Sequence, residues 1–178
     1  MQDITKSFYL AKEREQHRKQ FINSLNLRQL ELEKYVKSLE YVPLNHYNSD
    51  YEGFSVMTTR RSILSTYLSV PHTRSRIIIY PIAFETSQNI DDFLSVLIDH
   101  EGQHAKDRYE EPELDDIISE IKAIKNQMTQ IKNGKRSVSQ SYKDKFFISS
   151  LIWALKAEKY DDRLNEIGLT ERLAYNLL

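Results

Sequence analysis

The sequence predicts a mostly helical α+β domain with a small β-sheet, in the form of a hairpin, that precedes a helix near the middle of the chain. Three observations support this fold class. Apolar residues recur at helical spacing over most of the chain, two neighbouring segments are rich in β-branched residues, and turn-forming residues separate those two segments. The length of 178 residues fits a single domain over residues 1–178.

The N-terminal region predicts one long helix over residues 5–40, within a helical extension of residues 1–45. Its second half carries a seam of apolar residues at helical spacing, namely Ile22, Leu25, Leu32, Val36 and Leu39. Residues 12–19 are nearly all polar, so we expect this part to protrude. The helix would then either brace the domain or associate with a second copy of the chain.

Residues 62–131 are predicted to hold the sheet and a pair of helices. We expect strands at residues 63–70 and 76–80, because both segments are rich in β-branched and aromatic residues. The residues between them, 71–75, include proline, serine and threonine and are typical of a turn. Together the two strands predict the hairpin.

An H-E-x-x-H motif at residues 100–104 is the most informative feature of the chain. One helical turn separates His100 from His104, so both imidazoles project from the same face and are close enough to bind one metal ion. Glu101 lies beside that face, where it can take a proton from a metal-activated water. A chain of this length would contain the pattern by chance roughly once in two hundred cases.

The residues around the motif favour a buried helix. Apolar residues precede the histidines on the same face: Ile90, Phe93, Leu94 and Leu97. Asn89 or Ser87 is expected to cap the helix. Gly102 in its interior indicates close approach by another backbone or by a substrate, since glycine weakens a helix. Histidines and a glutamate on an inward face are costly to bury unless a group such as a metal ion satisfies them.

A third protein ligand is needed to complete a catalytic zinc site. A metzincin would have glycine at position 107 and histidine at position 110, but the chain has Asp107 and Glu110. A second helix is predicted downstream from an apolar seam, and Glu120 flanks that seam, within reach of a metal on the preceding antiparallel helix. We therefore expect Glu120 to be the third ligand. Four nearby acids are rivals for this role: Glu111, Glu113, Asp115 and Asp116.

This constellation resembles the gluzincin metallopeptidases of the thermolysin type, in which a glutamate on the next helix completes H-E-x-x-H. The resemblance covers roughly residues 62–128. Residues 119–127 look like the E-x-x-A segment of small bacterial and archaeal members, and residues 100–105 look like the H-E-x-Q-H-A variant. The resemblance implies a zincin-like domain with His100, His104 and Glu120 as zinc ligands and Glu101 as the general base.

Two positions depart from the family pattern. Lys106 stands where an apolar residue is usual, and Ile124 stands where thermolysin-like enzymes carry an aspartate that orients a ligand histidine. Asp116, one turn before Glu120, could supply the carboxylate that fixes a histidine tautomer. The alternative is that Asp116 is a solvated acid in the first turn of its helix.

Two imidazoles, one carboxylate and an open position favour Zn²⁺, although other divalent ions are compatible with this ligand set. We therefore expect a zinc metallopeptidase in which metal-activated water attacks a peptide bond of a peptide or protein substrate. One alternative is an inactive binding or regulatory protein that the metal stabilises. Another is a precursor blocked by its own terminal segment. The absence of cysteine argues against peptide deformylase, which pairs this motif with a cysteine ligand.

The composition and the C-terminal region give the remaining predictions. A net charge of −1 argues against nucleic acid or a membrane surface as partner. The first residues lack the apolar core of a signal peptide, so we expect a cytoplasmic protein, although a removed leader would leave no trace here. Residues 140–178 predict C-terminal helices: one at 146–157, apolar on most sides and hence buried, and a short one at 161–178.

Overall fold

The computed structural model of the protein describes residues 4–43, 54–57 and 73–160. The helices in this part of the chain are α1 (Ile4–Glu13), α2 (Glu15–Ser24), α3 (Pro81–Thr86), α4 (Ile90–Leu94), α5 (Glu101–Glu110), α6 (Asp116–Lys132) and α7 (Gln140–Tyr160). A π-helical segment, Ser95–His100, joins α4 to α5. Residues 90–110 therefore form one continuous element, called the motif helix below. Together with the sheet, these helices confirm a mostly helical α+β fold.

The sheet contains three strands, β1 (Val36–Tyr41), β2 (Phe54–Met57) and β3 (Ser75–Ile79), with β3 in the centre. Strand β1 runs parallel to β3 and pairs Tyr41 with Ile79, whereas β2 runs antiparallel to β3. Ile77 and Ile79 on β3 are fully buried. The prediction of a strand at residues 76–80 is thus confirmed with nearly the same bounds. The other predicted hairpin strand, residues 63–70, and the first two residues of the turn lie outside the described residues. Because the neighbours of β3 in the described sheet are β1 and β2, the hairpin is not confirmed.

The prediction of one long N-terminal helix is wrong. The helix breaks at Arg14, whose backbone is extended with φ −134° and ψ 118°, and α2 ends before Leu25, which is also extended. Beyond a loop, the chain forms β1 and pairs with β3. The apolar seam that includes Val36 is therefore divided between a helix, a loop and a strand, because sheet pairing outweighs the weak preference of this segment for a helix.

The polar N-terminal stretch does not protrude as predicted. Arg18, near its end, is only 7% exposed. Its guanidinium donates to the carbonyl oxygens of Ala11 and Lys12 and so satisfies backbone acceptors at the break between α1 and α2. The N-terminal helices brace the domain through the core, and the described residues do not test self-association.

The core is centred on four phenylalanines, Phe8, Phe21, Phe84 and Phe93, whose neighbouring ring centroids lie 5.0–6.1 Å apart. These rings join α1, α2, α3 and the motif helix. Leu97 and Ala105 of the motif helix are fully buried in the same cluster. One face of the motif helix is thereby fixed against the N-terminal helices and the sheet, which leaves another face for α6.

The predicted burial of the C-terminal helix is only partly correct. Phe146 and Ala154 on α7 pack with Ile121 and Ile124 on α6, as expected for a helix that covers the metal-helix pair. Three other apolar residues of α7 are exposed by about half or more: Ile148, Ile152 and Leu155. Helix α7 thus buries one stripe and not most of its circumference. The predicted helix at residues 161–178 lies outside the described residues, and none of the described helices combines the length and apolarity that crossing a bilayer requires.

Candidate metal centre

The motif helix begins at a capping box. The side chain of Asn89 accepts a hydrogen bond from the backbone N–H of Asp92, and the Asp92 side chain accepts from the Asn89 backbone. This confirms Asn89 as one of the two predicted caps. The helix then widens into the π-helical segment that ends at His100, directly before Glu101. Such segments occur frequently at functional sites.

Gly102 is explained by close packing, but not by the neighbours that we expected. A Cβ at this position would lie 2.7 Å from Cδ2 of Leu32. The closely approaching group is therefore a side chain from the loop between α2 and β1, and not another backbone or a substrate. The missing Cβ allows the motif helix to lie against that loop.

His100, His104 and Glu120 converge at one point between the motif helix and α6. The Nε2 atoms of the two histidines are 3.2 Å apart. Glu120 Oε1 lies 3.2 Å from His104 Nε2, and Glu120 Oε2 lies 3.5 Å from His100 Nε2. The structure thus brings together the three residues that the sequence analysis selected as metal ligands.

The other nitrogen of each ring has its own partner. His104 Nδ1 lies 2.8 Å from Ser119 Oγ, and the Ser119 hydroxyl donates to Asp107 Oδ2 at 3.0 Å. Because the serine hydroxyl donates its hydrogen to the aspartate, Ser119 can only be a hydrogen-bond acceptor toward His104. The hydrogen-bond network therefore assigns the Nδ1–H tautomer to His104 and leaves the lone pair of Nε2 for a metal.

A second network holds His100. Its Nδ1 lies 2.8 Å from Gln127 Oε1, and the Gln127 amide nitrogen donates to the Tyr142 hydroxyl at 2.7 Å and to the carbonyl oxygen of Ser95 at 3.3 Å. These two acceptors orient the amide so that its oxygen faces His100. His100 therefore donates from Nδ1, and its Nε2 lone pair is also directed toward Glu120.

The prediction that Asp116 fixes a histidine tautomer is wrong. Asp116 is exposed at the first turn of α6, and the two Nδ1 partners are Ser119 and Gln127. A carboxylate does take part, but it is Asp107, which acts through Ser119. The other rival ligands are exposed as well: Glu111, Glu113 and Asp115. Asp115 caps α6 by accepting from the Ile117 N–H.

Sequence reasoning missed Asp107, Ser119 and Gln127. A usable signal existed in their spacing, because Gln127 follows Glu120 by two helical turns and Asp107 follows His104 by three residues. All three side chains are at least 92% buried, with exposed fractions of 4%, 8% and 3%. Buried polar groups need hydrogen-bond partners. Here Gln127 bonds to His100, and Ser119 bonds to both His104 and Asp107.

The charges of the cluster are strongly coupled. Burial, together with the positive charge on His104, lowers the pKa of His100 to about 4, so His100 is neutral at ordinary pH. Burial also opposes protonation of His104, but its hydrogen bond to Glu120 and the charges of Glu101 and Glu120 outweigh burial and raise its pKa. Burial disfavours the Glu120 carboxylate, yet the same hydrogen bond and the two imidazoles lower its pKa. The cluster thus pairs a carboxylate with one cationic imidazole.

The geometry of these donor atoms fits a divalent metal ion. One ligand atom from each residue lies within 4.8 Å of the others. In a tetrahedral site with metal–ligand bonds of about 2.1 Å, ligand atoms are about 3.3–3.4 Å apart. The two Nε2 atoms are 3.2 Å apart, and the carboxylate oxygens nearest to them lie 3.2 Å from one and 3.5 Å from the other, close to that spacing. The cluster can therefore hold a metal ion, which would replace the proton that His104 shares with Glu120.

Glu101 lies beside the cluster and is 8% exposed. It lines a cavity of about 220 Å³ together with His100 and Gln127, and residues of α7 form the opposite wall, among them Tyr142 and Phe146. The carboxylate of Glu101 is close enough to His104 to influence its pKa. This places an acid–base group at the boundary between the metal centre and a cavity.

Comparisons of the chain with protein-family models, with curated proteins and with solved structures find no match.

Proposed function

We propose that the protein is a zinc-dependent metallopeptidase. The observation that carries this proposal is the convergence of His100, His104 and Glu120 on one point, with the Nδ1 atom of each imidazole held by Gln127 or Ser119 and Glu101 buried alongside. Two imidazoles and one carboxylate are the ligand set of hydrolytic zinc sites that keep a position open for water or substrate.

The two histidines and Glu120 would hold the ion, and a bound divalent ion would supply Lewis acidity toward a peptide carbonyl and a water molecule. Glu101 would take a proton from the attacking water and return it to the amine that leaves when the peptide bond breaks. The adjacent cavity would receive part of the peptide.

Ser119 and Gln127 would keep both imidazoles in the tautomer that presents Nε2 to the ion. In the absence of metal, the proton on His104 occupies the space between the imidazoles and Glu120. Metal binding would therefore displace this proton from the cluster.

The proposal is tested by measuring zinc content and peptide hydrolysis on the same preparations. We expect nearly one zinc ion per chain in the wild type, and much less in His104→Ala and Glu120→Ala. Glu101→Gln should retain zinc but hydrolyse a mixture of fluorogenic peptides at least about a hundred times more slowly. Asp116→Asn is the matched control, because Asp116 is an exposed acid on the same helix as Glu120.

Two results would contradict the proposal. Hydrolysis that survives in Glu101→Gln would remove the assigned base. Zinc-loaded wild type that cleaves no peptide would leave the metal centre with the stabilising role of the alternative, an inactive binding or regulatory protein.

A further inference from the structure

The cavity beside Glu101 has one wall that belongs to α7, and that wall carries a lysine. Lys145 lines the cavity together with His100, Glu101 and Phe146. His100 and Glu101 already have roles in the proposed reaction, and no other described lysine or arginine lines the cavity. Lys145 is therefore the cationic group at this cavity among the described residues.

Lys145 has no acidic partner among the described side chains. By contrast, Lys122 on α6 pairs with an acid, with its Nζ 2.8 Å from Glu111 Oε1, and Lys156 on α7 lies over an aromatic ring, with its Nζ 4.1 Å from the ring centroid of Trp153. Lys145 is exposed and lines the cavity. A cation without a partner next to a partly apolar cavity is a recognition group for an anion.

The volume of the cavity limits the size of the group that can enter it with the anion. A volume of about 220 Å³ lies below the roughly 300–1,000 Å³ typical of pockets for whole small-molecule ligands. It fits one amino-acid residue of a longer chain. Val96 and Phe146 give this space an apolar part, and Lys145 lies on the same wall as Phe146.

We infer that Lys145 is a specificity-determining residue that binds a carboxylate of the peptide substrate next to the point of cleavage. This inference rests on the proposed peptidase function and adds the substrate class: peptides with an acidic residue or a free C-terminal carboxylate at this position. Both sources present the same group to the ammonium, and the experiment separates them.

The experiment measures binding apart from hydrolysis. Fluorescently labelled alanine-based peptides carry one Glu, Gln or Lys, each with a free or an amidated C-terminus, and their affinities are measured by anisotropy on zinc-loaded Glu101→Gln protein. The same peptides are measured on Glu101→Gln/Lys145→Met and on Glu101→Gln/Lys143→Met. Lys143 is an exposed lysine of the same helix that does not line the cavity, so it controls for net charge. Hydrolysis by the wild type is followed in parallel.

We expect the carboxylate-bearing peptide to bind about fivefold more tightly than its neutral counterpart, since a partly exposed ion pair contributes modestly. This preference should vanish in the Lys145→Met protein and persist in the Lys143→Met protein. Lys145→Glu should reverse it in favour of the Lys peptide. Tighter binding of the amidated Glu peptide than of the amidated Gln peptide would identify a side-chain carboxylate. Tighter binding of the free-acid Gln peptide than of the amidated Gln peptide would identify a C-terminal carboxylate.

The inference is overturned if no peptide shows a carboxylate preference, or if the preference survives in the Lys145→Met protein. Hydrolysis by the wild type without such a preference would refute the role of Lys145 and leave the peptidase intact. Carboxylate binding that depends on Lys145, without hydrolysis by the zinc-loaded wild type, would support the role of Lys145 and refute the peptidase.

Discussion

Ser119 Oγ on α6 lies 2.8 Å from His104 Nδ1 on the motif helix, and the serine hydroxyl donates its own hydrogen bond to Asp107. This contact orients a ligand imidazole through a neutral group backed by a buried carboxylate. Loss of such a supporting contact typically weakens metal binding by about 10- to 100-fold.

Ser119→Ala should therefore bind zinc about 10- to 100-fold more weakly than the wild type while still folding. Competition titration with a zinc chelator measures the affinity. Thr129→Ala, which removes an exposed hydroxyl from the same helix, serves as the control and should bind zinc normally. Equal affinities for the two variants would show that Ser119 does not support His104.

Gln127 supports the other histidine, and its loss should affect both metal binding and stability. Gln127→Met keeps the approximate shape but removes the partners of His100, Tyr142 and the Ser95 carbonyl. We expect about 2 kcal/mol of destabilisation from the unsatisfied groups, together with weaker zinc binding. Chemical denaturation and zinc titration measure the two effects.

Tyr142→Phe is the matched control for Gln127, because it removes one hydrogen bond of the amide but leaves the contact with His100. It should lower stability by about 1 kcal/mol and keep the zinc affinity. Equal zinc affinities for Gln127→Met and Tyr142→Phe would contradict the role assigned to Gln127.

Zinc should stabilise the fold. A free zinc concentration about 100 times the dissociation constant adds about 2.7 kcal/mol to the free energy of unfolding, which corresponds to a rise in melting temperature of about 5–10 °C for a chain of this size. Differential scanning fluorimetry with and without a chelator tests this. His104→Ala should show almost no zinc-dependent shift, and a shift of wild-type size in that variant would place the ion elsewhere.

The convergence of His100, His104 and Glu120 could be predicted because its signals are local. The spacing of His100 and His104 fixes a shared face by helix geometry alone. Glu120 follows from the next amphipathic helix, since a short connection makes two helices antiparallel neighbours. The seam that includes Ile121 and Ile124 is indeed the buried face of α6.

The prediction of one long N-terminal helix was wrong because the secondary structure of residues 36–41 depends on a segment that is distant in the sequence. Val36 and Leu39 fit a helical seam equally well, but β3 pairs with this segment in the folded chain. The residues that fix the tautomers of His100 and His104 could not be predicted from the sequence either. Asp116 was considered for its charge and position, with a solvated acid as the alternative, whereas a serine and an amide hold the imidazoles. Their neutral side chains do not stand out in a sequence.

Arg136 should be important for stability because it neutralises a buried acid next to the metal centre. Its guanidinium donates two hydrogen bonds, at 2.9 and 3.1 Å, to Asp99, which directly precedes His100 and has a side chain only 4% exposed. Arg136→Ala leaves this carboxylate buried without a partner and should destabilise the fold by about 3 kcal/mol. Lys135→Ala, at the exposed neighbouring position, should change stability by less than about 0.5 kcal/mol. Urea denaturation measures both, and adding Asp99→Asn to Arg136→Ala should restore part of the loss, since the unpaired charge is then gone. If Arg136→Ala is no less stable than Lys135→Ala, the pair contributes nothing that solvent cannot replace.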